Sequence, residues 1–315
     1  MNDNLRRSSN ERSFFRRIYD ERILYLMILP TLIFFALFRL WPIWNMRLAF
    51  YSYSSRGAWK FVGMKYINLI FSTPGFMSIL RNTLMISFMK YVLLFPFTVL
   101  FAILLNELRS SGFRKYVQIV TYLPHFLSWV VIAGIWILAL SLDGSVNQIL
   151  GIFNLPRVDF MTDRGSIRWI LMISEAWRSI GWDSIFYFTA ILSIPAHLFE
   201  AAEIDGATRL QVIGRIILPA LVAPMLTVFI MNLGFFLNAG FDQVLNFSNN
   251  AILSTIDILD TYIYRIGIEN GQYSLASAVG LLKGVTGTVL VLVTHFLSKR
   301  FTGEGVSVLD RKSVV

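Results

Sequence analysis

The sequence contains no cysteine and only three histidines among its 315 residues. The lack of cysteine excludes disulfides, thiolate nucleophiles and cysteine-ligated metal sites. The histidines, His125, His197 and His295, lie in different segments and lack the i, i+4 spacing of a helical metal site. No G-x-x-x-x-G-K-[S/T] phosphate-binding loop occurs, so the chain is not expected to hydrolyse ATP itself. The sequence therefore predicts neither catalytic residues nor a metal site.

Charge is also scarce. Only 15% of the residues are charged, 56% are hydrophobic and the mean hydropathy is +0.61. Soluble domains carry about a quarter charged residues, so this chain has too much apolar surface for a water-soluble core. Because backbone polar groups must be satisfied internally in a bilayer, long apolar segments of this kind predict an all-α integral membrane protein.

Six segments are long and apolar enough to cross about 30 Å of hydrocarbon. They are 23–44, 83–105, 116–142, 169–194, 216–240 and 273–298. The fourth segment is the least certain to cross, because Glu175, Arg178 and Asp183 each cost about 2.5–3.5 kcal/mol at mid-membrane. Glu175 and Arg178 are three residues apart, so we expect them to pair on one helical face, which favours crossing.

The distribution of lysine and arginine predicts the orientation of these spans. Fifteen of the 28 basic residues lie in the segments 1–22, 106–115, 195–215 and 299–315, which are therefore expected to be cytoplasmic. The sequence predicts a cytoplasmic segment 1–22, a permease-like membrane domain 23–300 and a cytoplasmic tail 301–315. No A-x-A-like cleavage site follows the first span, which reads as a retained signal anchor. Much of the net charge of +9 is a topology signal and not a nucleic-acid patch.

A polar stretch, EAAEIDGATRLQVIGRIILP at 200–219, interrupts this apolar pattern between the fourth and fifth spans. Pro195 suits the first position of a short helix, and Asp205 can cap a second one. Gly206 permits the backbone angles of a reversal, and Pro219 begins the next span. The loop 195–219 is therefore predicted to be a stiff cytoplasmic elbow, although an ordinary helix–Gly–helix connector is the alternative.

The spacing within this elbow resembles the signature of permease subunits of ATP-binding-cassette importers: E-A-A, three residues, G, nine residues, I-x-L-P. Asp205, Ala207 and Gln211 match the fuller D-G-A-x-x-x-Q form of the carbohydrate, maltose-type permeases. Ile213 stands where phenylalanine is common in that form. The ATPase-coupling residues implied by the resemblance are Glu200, Ala201, Ala202, Asp205, Gly206, Arg209, Ile216, Leu218 and Pro219.

RNTLMISF at 81–88 resembles the start of the permease core of this family. Three further motifs resemble the permeases that handle complex oligosaccharides, including pectin- and alginate-derived sugars: YLPHFLSWVVIAGIW at 122–136, DGSVNQIL at 143–150 and GFDQVLNF at 240–247. The likeness covers about residues 20–300. It implies the type I importer permease fold, with six transmembrane helices and both termini in the cytoplasm.

The resemblance also implies partners and a location. They are a second, homologous permease chain in a heterodimer, two ATPase subunits that bind ATP and magnesium, and an extracytoplasmic solute-binding protein. No cofactor is expected in this chain. The cargo would be an oligosaccharide, neutral or uronate-containing, and the location a bacterial cytoplasmic (inner) membrane.

Residues for a substrate path are sought among aromatic and amide side chains, because sugar sites combine aromatic faces with a few hydrogen-bonding groups. The candidates are Trp177, Trp182, Tyr187, Asn232, Asn238, Asp242, Gln243 and Lys283. Lys90, Arg178 and Lys283 could form a cationic wall that suits uronates. The favoured alternative is that Glu175 and Asp183 neutralise two of them, or that Lys90 snorkels.

Two other classes of protein are compatible with six apolar spans. An ion-gradient-driven secondary transporter or channel would be expected to show inverted repeats, which are not detectable in this sequence. A membrane scaffold without a pore would leave the polar residues of the spans without a purpose. Neither class needs an ATPase-docking elbow.

Overall fold

The computed structural model describes residues 21–302, and side chains in that range except those of His295 and 297–302. The predicted terminal segments 1–22 and 301–315 therefore lie almost entirely outside the described residues. The described chain is helical, as predicted. Its strands are a short antiparallel hairpin of β1 (Tyr51–Ser52) and β2 (Lys60–Phe61), in which Tyr51 faces Phe61.

Sixteen α-helical segments make up most of the described range. They are α1 Arg22–Phe35, α2 Trp41–Asn45, α3 Lys65–Ser72, α4 Phe76–Met89, α5 Phe95–Glu107, α6 Ser111–Tyr122, α7 Trp129–Leu140, α8 Ser145–Ile152, α9 Ile167–Leu192, α10 Ala196–Ile204, α11 Arg209–Val212, α12 Leu218–Leu233, α13 Phe241–Phe247, α14 Leu253–Ile256, α15 Leu259–Tyr264 and α16 Tyr273–Thr302.

Short segments of other helix types join several of these helices. The π-helical segments are Ala36–Leu40, Lys90–Leu94, Ile213–Ile217 and Arg265–Glu269, and the 3-10 segments are Met46–Phe50 and Leu123–Phe126. π-Helical segments of this kind bend a helix without breaking it, and they are frequent at functional sites. The first and second predicted spans each contain a π-helical segment, and another leads into the fifth.

Five helical stretches of the described chain are long and apolar enough to cross a membrane. They are Arg22–Phe50, Phe76–Glu107, Trp129–Ile152, Arg209–Leu233 and Tyr273–Thr294. A sixth span is counted only if α9 and α10 are taken together, and these two helices are bent by 70° relative to each other. The fourth segment is thus a long helix, as predicted. Its charged residues make α9 by itself too polar to count as a membrane span.

The prediction that the third span, 116–142, is one continuous helix is wrong. The structure divides it at Leu127 and Ser128, between the 3-10 segment Leu123–Phe126 and α7. Pro124 has no N–H to continue the ladder of α6, and the Ser128 hydroxyl accepts a hydrogen bond from the Val131 N–H (3.4 Å) and so caps α7. The spanning stretch in this region starts at Trp129 and runs to Ile152.

The fifth predicted span, 216–240, is too long at its far end. Helix α12 ends at Leu233, and the chain turns before Gly240. A Cβ on Gly234 would lie 2.9 Å from the Val291 side chain, so glycine allows α12 and α16 to pack closely there. The turn carries Asn238 away from the helix axis and toward the cavity described below.

Helix α9 is the centre of the packing. It lies along α5 and contacts α6 and α12. Val99 on α5, Tyr187 and Ile191 on α9 and Ile217 before α12 belong to one buried cluster. Because Ile217 is fully buried in that cluster, the second arm of the elbow is fixed to the body of the protein.

Candidate functional site

The elbow begins where α9 ends. After Leu192 the chain turns through Pro195, whose ψ of 131° is extended, and α10 then leaves at 70° to α9. The predicted first short helix is confirmed as α10, Ala196–Ile204, with Pro195 immediately before it. The Glu200, Ala201 and Ala202 positions all lie on this helix.

The corner of the elbow is a glycine-terminated helix end. The Gly206 N–H donates to Glu203 O (3.1 Å) and the Ala207 N–H donates to Ala202 O (2.9 Å). This pair of bonds is the Schellman motif, which needs a left-handed residue, and Gly206 has φ +68°. Gly206 therefore has the predicted role of reversing the chain.

Asp205 does not cap the second helix, so that prediction is wrong. Asp205 is the last residue of the α10 end, and Thr208 is the cap of α11. The Thr208 N–H donates to Gln211 Oε1 (2.7 Å), and the Gln211 N–H donates to the Thr208 hydroxyl (3.4 Å). Sequence reasoning missed this capping box, although T-x-x-Q is its recognised signal.

The outer edge of the elbow is apolar. Ile204 is 86% exposed and Leu210 is 80% exposed, the two highest values among the large hydrophobic residues described. Glu200, Asp205 and Arg209 are also exposed and surround this edge, whereas Ala202 is half-buried. The arrangement is a stiff, protruding corner with two apolar side chains at its tip, suited to insertion into a cleft of another protein.

The arm that follows the corner returns to the membrane domain. Ile216 is half-buried and Ile217 is fully buried, whereas Leu218 and Pro219 are exposed at the start of α12. Pro219 occupies one of the first two helical positions, where its missing N–H costs no hydrogen bond. The elbow is thus attached directly to α9 on one side and α12 on the other.

A buried polar network joins the second span, α9 and the short helix α13. Lys90 Nζ lies 2.7 Å from Glu175 Oε2 and 2.7 Å from Gln243 Oε1. The Ser179 hydroxyl donates to Glu175 Oε1 (2.8 Å) and Gln243 Nε2 donates to Leu171 O (2.7 Å). The predicted Glu175–Arg178 pair is therefore wrong, because Lys90 from the second span reaches the carboxylate instead.

Lys283 has a carboxylate partner as well. Its ammonium contacts Asp260 Oδ1, and both side chains are mostly buried. Asp183, which was expected to neutralise one of the cations, forms no ion pair among the described residues. Arg178 donates instead to His125 O (3.3 Å) and lies 5.1 Å from the centroid of the Trp129 ring.

A cavity of about 1090 Å³ opens next to Asp260 and Lys283. Its wall combines aromatic rings with a few polar groups, which is the chemistry expected of a sugar path. The polar and aromatic side chains that line it are Trp41, Asn45, Tyr53, Asn238, Phe241, Asp260, Tyr264, Tyr273, Ser277 and Lys283.

Of the eight predicted path residues, Asn238 and Lys283 line this cavity. Asp242 is exposed in the first turn of α13, next to the cavity wall, and the Asn232 carbonyl accepts a hydrogen bond from the Tyr91 hydroxyl. Trp177 and Trp182 are exposed on α9, outside the cavity.

Two predicted path residues are buried instead. Tyr187, only 2% exposed, packs against Phe95 in the core, and Gln243 is fully buried in the polar network. Sequence reasoning missed Asp260, Tyr264 and Tyr273. Asp260 and Tyr264 belong to the short helix α15, which has no span-like pattern, and the local signal there was an aspartate among aromatic residues. Tyr273 is the first residue of α16 and of the sixth predicted span.

Two of the sequence motifs brace the loops at the end of the bundle far from the elbow. Asn82 of RNTLMISF donates to Ser254 O (3.0 Å) and to Asp257 O (3.2 Å). Asn147 of DGSVNQIL donates to Val158 O (2.9 Å) and accepts from the Val158 N–H (2.8 Å). These motifs therefore fix loop geometry by satisfying buried backbone groups.

Comparison with known proteins gives a consistent result. Residues 94–303 match the family described as "Binding-protein-dependent transport system inner membrane component". The polygalacturonan/rhamnogalacturonan transport system permease protein YteP of Bacillus subtilis is 35% identical over 295 residues, covering 92% of each chain. The arabinooligosaccharides transport system permease protein AraP of the same organism is 26% identical over 287 residues, covering 89% of this chain and 90% of its own.

Solved structures show the same likeness. A chain of a bacterial ABC transporter involved in the import of the acidic polysaccharide alginate superposes with a TM-score of 0.85 at 36% identity, covering 91% of this chain and 99% of its own. A chain of a bacterial alginate ABC transporter, in complex with an alginate pentasaccharide-bound periplasmic protein, gives a TM-score of 0.86, again at 36% identity, with coverage of 92% and 98%.

Proposed function

Because the chain belongs to the family of inner membrane components of binding-protein-dependent transport systems, it is a membrane-spanning permease subunit, and we propose that its importer carries uronate-containing oligosaccharides. The family match covers 94–303, and the fold is that of the alginate importer permease. The description of one relative names polygalacturonan, which is a polymer of a uronic acid, and that of the solved transporter names the acidic polysaccharide alginate. Their likeness to this chain is the observation that carries the cargo proposal.

The elbow supports an ATP-driven mechanism with the energy supplied by separate subunits. Ile204 and Leu210 project from the corner, and the arms on either side lead into α9 and α12. A cleft on an ATPase that received this corner would transmit its closure to both spans as a rigid-body movement. The proposed assembly therefore has two ATPase subunits beneath a pair of permeases, in the cytoplasmic membrane.

The remaining partners follow from the same comparison. The alginate transporter was solved with a periplasmic protein that carries an alginate pentasaccharide. We therefore assign to this chain an extracytoplasmic solute-binding protein as the source of cargo, and a second, homologous permease chain as the other half of the pore. The cavity beside Asn238 and Lys283 is the proposed path through this half.

The test measures sugar uptake by proteoliposomes that contain the complete importer in the membrane and ATP in the lumen. The binding protein is included in the assay. Oligogalacturonates and alginate oligosaccharides are the probes. ATP-dependent accumulation of either, together with ATPase activity that rises with loaded binding protein, is the expected result. Accumulation that requires an ion gradient and not ATP would instead identify a secondary transporter and overturn the proposal.

A further inference from the structure

Arg178 differs from Lys90 and Lys283, the other two cations of the predicted cationic wall. Lys90 is paired with Glu175 and Lys283 with Asp260. Within the described residues Arg178 has no carboxylate within ion-pair distance, and its buried Nε has no hydrogen-bond acceptor. An unpaired buried donor on a charged group is costly, and intramembrane charges of this kind mark substrate or ion pathways.

The surroundings of Arg178 are aromatic. Its guanidinium lies 5.1 Å from the centroid of Trp129, and it donates to His125 O (3.3 Å). The His125 ring stacks on Trp182 with centroids 4.6 Å apart and planes at 8°. Because Trp182 is 38% exposed, this cluster opens to the surface of α9 and is not sealed in the core.

A second unsatisfied group lies in the same cluster. His125 Nδ1 is buried and has no hydrogen-bond partner among the described residues. The histidine belongs to the 3-10 segment Leu123–Phe126, at the break in the third predicted span. Backbone that leaves the helix at membrane depth is tolerated where it is covered by protein or lines a water-filled path. Arg178 donates to one carbonyl of this break, and two buried nitrogens beside it have no hydrogen-bond partner among the described residues.

The cluster lies between the cavity and the elbow. Gly240 lines the cavity, and Lys90 Nζ approaches it so closely that a Cβ there would be 2.5 Å away. Lys90 pairs with Glu175, and Arg178 follows one helical turn later on α9. Trp182 is another turn nearer the elbow. Along α9, Arg178 and Trp182 therefore follow Glu175 in the direction of the elbow.

Two carboxylates are close in sequence but do not occupy this position. Glu175 is held by Lys90 and Ser179. Asp183 is five residues from Arg178, about 140° around the helix, and forms no ion pair with it among the described residues, although the charges of Asp183 and Glu175 both interact with that of Arg178. Arg178 is half-buried, and within the described residues no carboxylate forms an ion pair with its guanidinium.

We propose that Arg178, with the Trp182 and His125 rings beside it, is a carboxylate-recognition site that determines the preference of this permease for uronate over neutral sugars. A guanidinium binds a sugar carboxylate through charge-assisted hydrogen bonds, and the indole face packs against the pyranose ring. This inference rests on the proposed import function and adds to it the residue that selects charge.

The experiment compares two probes with the same sugar backbone: trigalacturonate, which carries carboxylates, and its fully methyl-esterified form, which is uncharged. Uptake of each is measured in proteoliposomes with the complete importer, for the wild type, Arg178→Gln and Arg178→Lys. Because the same binding protein is used throughout, its own preference cancels when ratios of the two uptakes are compared between variants. Arg157→Gln is the matched control, since Arg157 is an exposed arginine in a surface ion pair.

In Arg178→Gln we expect the charged-to-esterified uptake ratio to fall about tenfold or more, the size of one lost charge-assisted hydrogen bond in a partly buried site. Uptake of the ester should persist, and Arg178→Lys should recover part of the ratio. Arg157→Gln should leave the ratio unchanged.

Two outcomes would overturn the inference alone. An unchanged ratio in Arg178→Gln would place charge selection elsewhere. An equal loss for both probes, seen also in Arg178→Lys and accompanied by a lower thermal unfolding temperature, would reduce Arg178 to a brace for the helix break. A wild-type importer that takes up neither probe with ATP would overturn the proposed function itself.

Discussion

At the scale of single residues, Gly240 shows how one backbone position can hold a charge network together. Its φ of +100° is unfavourable for any residue with a Cβ, and that Cβ would lie 2.5 Å from Lys90 Nζ. Lys90 can therefore reach Glu175 and Gln243 only because position 240 carries no side chain.

We predict that Gly240→Ala destabilises the permease by about 2 kcal/mol or more, since it combines backbone strain with a displaced lysine. Thermal unfolding of the purified protein in detergent measures this directly. Gly134→Ala is the control, because no atom lies within 4 Å of a Cβ there. Equal unfolding temperatures for the two variants would contradict the role assigned to Gly240.

The Lys90–Glu175 pair leads to a second residue-scale prediction. Both side chains are mostly buried, at 14% and 15% exposure, so removing one partner leaves the other charge uncompensated. Glu175→Gln should cost about 3–5 kcal/mol of unfolding free energy. Asp143→Asn, which breaks the exposed pair with Arg157, should cost about 1 kcal/mol or less. Denaturant titrations of both variants test the difference, and similar costs would refute the prediction.

At the scale of elements, the elbow is defined by hydrogen bonds that tie α10 and α11 into one rigid unit. The Gly206 N–H donates to Glu203 O (3.1 Å), and the Thr208–Gln211 capping box starts the next helix immediately. Glycine, threonine and glutamine in the motif are thus each explained by local backbone chemistry, independently of any partner.

Gly206→Pro should therefore uncouple transport from ATP hydrolysis while leaving membrane insertion intact. Proline removes the N–H that bonds Glu203 O and cannot adopt φ +68°. A bulky residue such as tryptophan at the half-buried Ala202 should have the same effect by blocking close approach. Gly214→Ala is the control, since a Cβ there meets open space. Undiminished uptake by both test variants in vesicles would rule out the coupling role.

The helix elements also show where a sequence pattern misleads. Residues 116–142 carry no full charge and look continuous, yet Pro124 and the Ser128 cap divide them. The apolar pattern of 216–240 likewise continues past the helix end at Leu233. The hydropathy of a segment indicates whether it lies in lipid or in water, whereas the position of a helix end depends on individual backbone hydrogen bonds.

At the scale of the whole molecule, orientation in the membrane remains a prediction from basic residues. The absence of cysteine makes it testable with single substitutions. Arg157→Cys, in the loop after α8, should react with a membrane-impermeant maleimide in intact cells. Arg209→Cys, in the elbow, should react only after permeabilisation. The opposite labelling pattern would invert the topology and remove the elbow from the side where ATP is hydrolysed.

The sequence alone determined the properties that depend on local composition and spacing. These are the membrane class, the approximate positions of the spans, and the elbow with its glycine corner. The length of an apolar segment and the spacing of a motif each involve only about 20 consecutive residues, so both can be recognised in the sequence of one chain. The family resemblance drew on the same kind of local pattern, and the comparisons confirm it.

Only the tertiary structure decided which charges meet. Glu175 and Arg178 are close in sequence, but Glu175 pairs with Lys90, which is 85 residues away. Lys283 likewise pairs with Asp260, and Tyr187 is buried while Asn238 lines the cavity. A buried charge takes the partner that packing brings within reach, and packing is set by the arrangement of all the helices together. Among the residues that the structure describes, that arrangement gave Arg178 no ion pair, although Glu175 is only three residues away in the sequence.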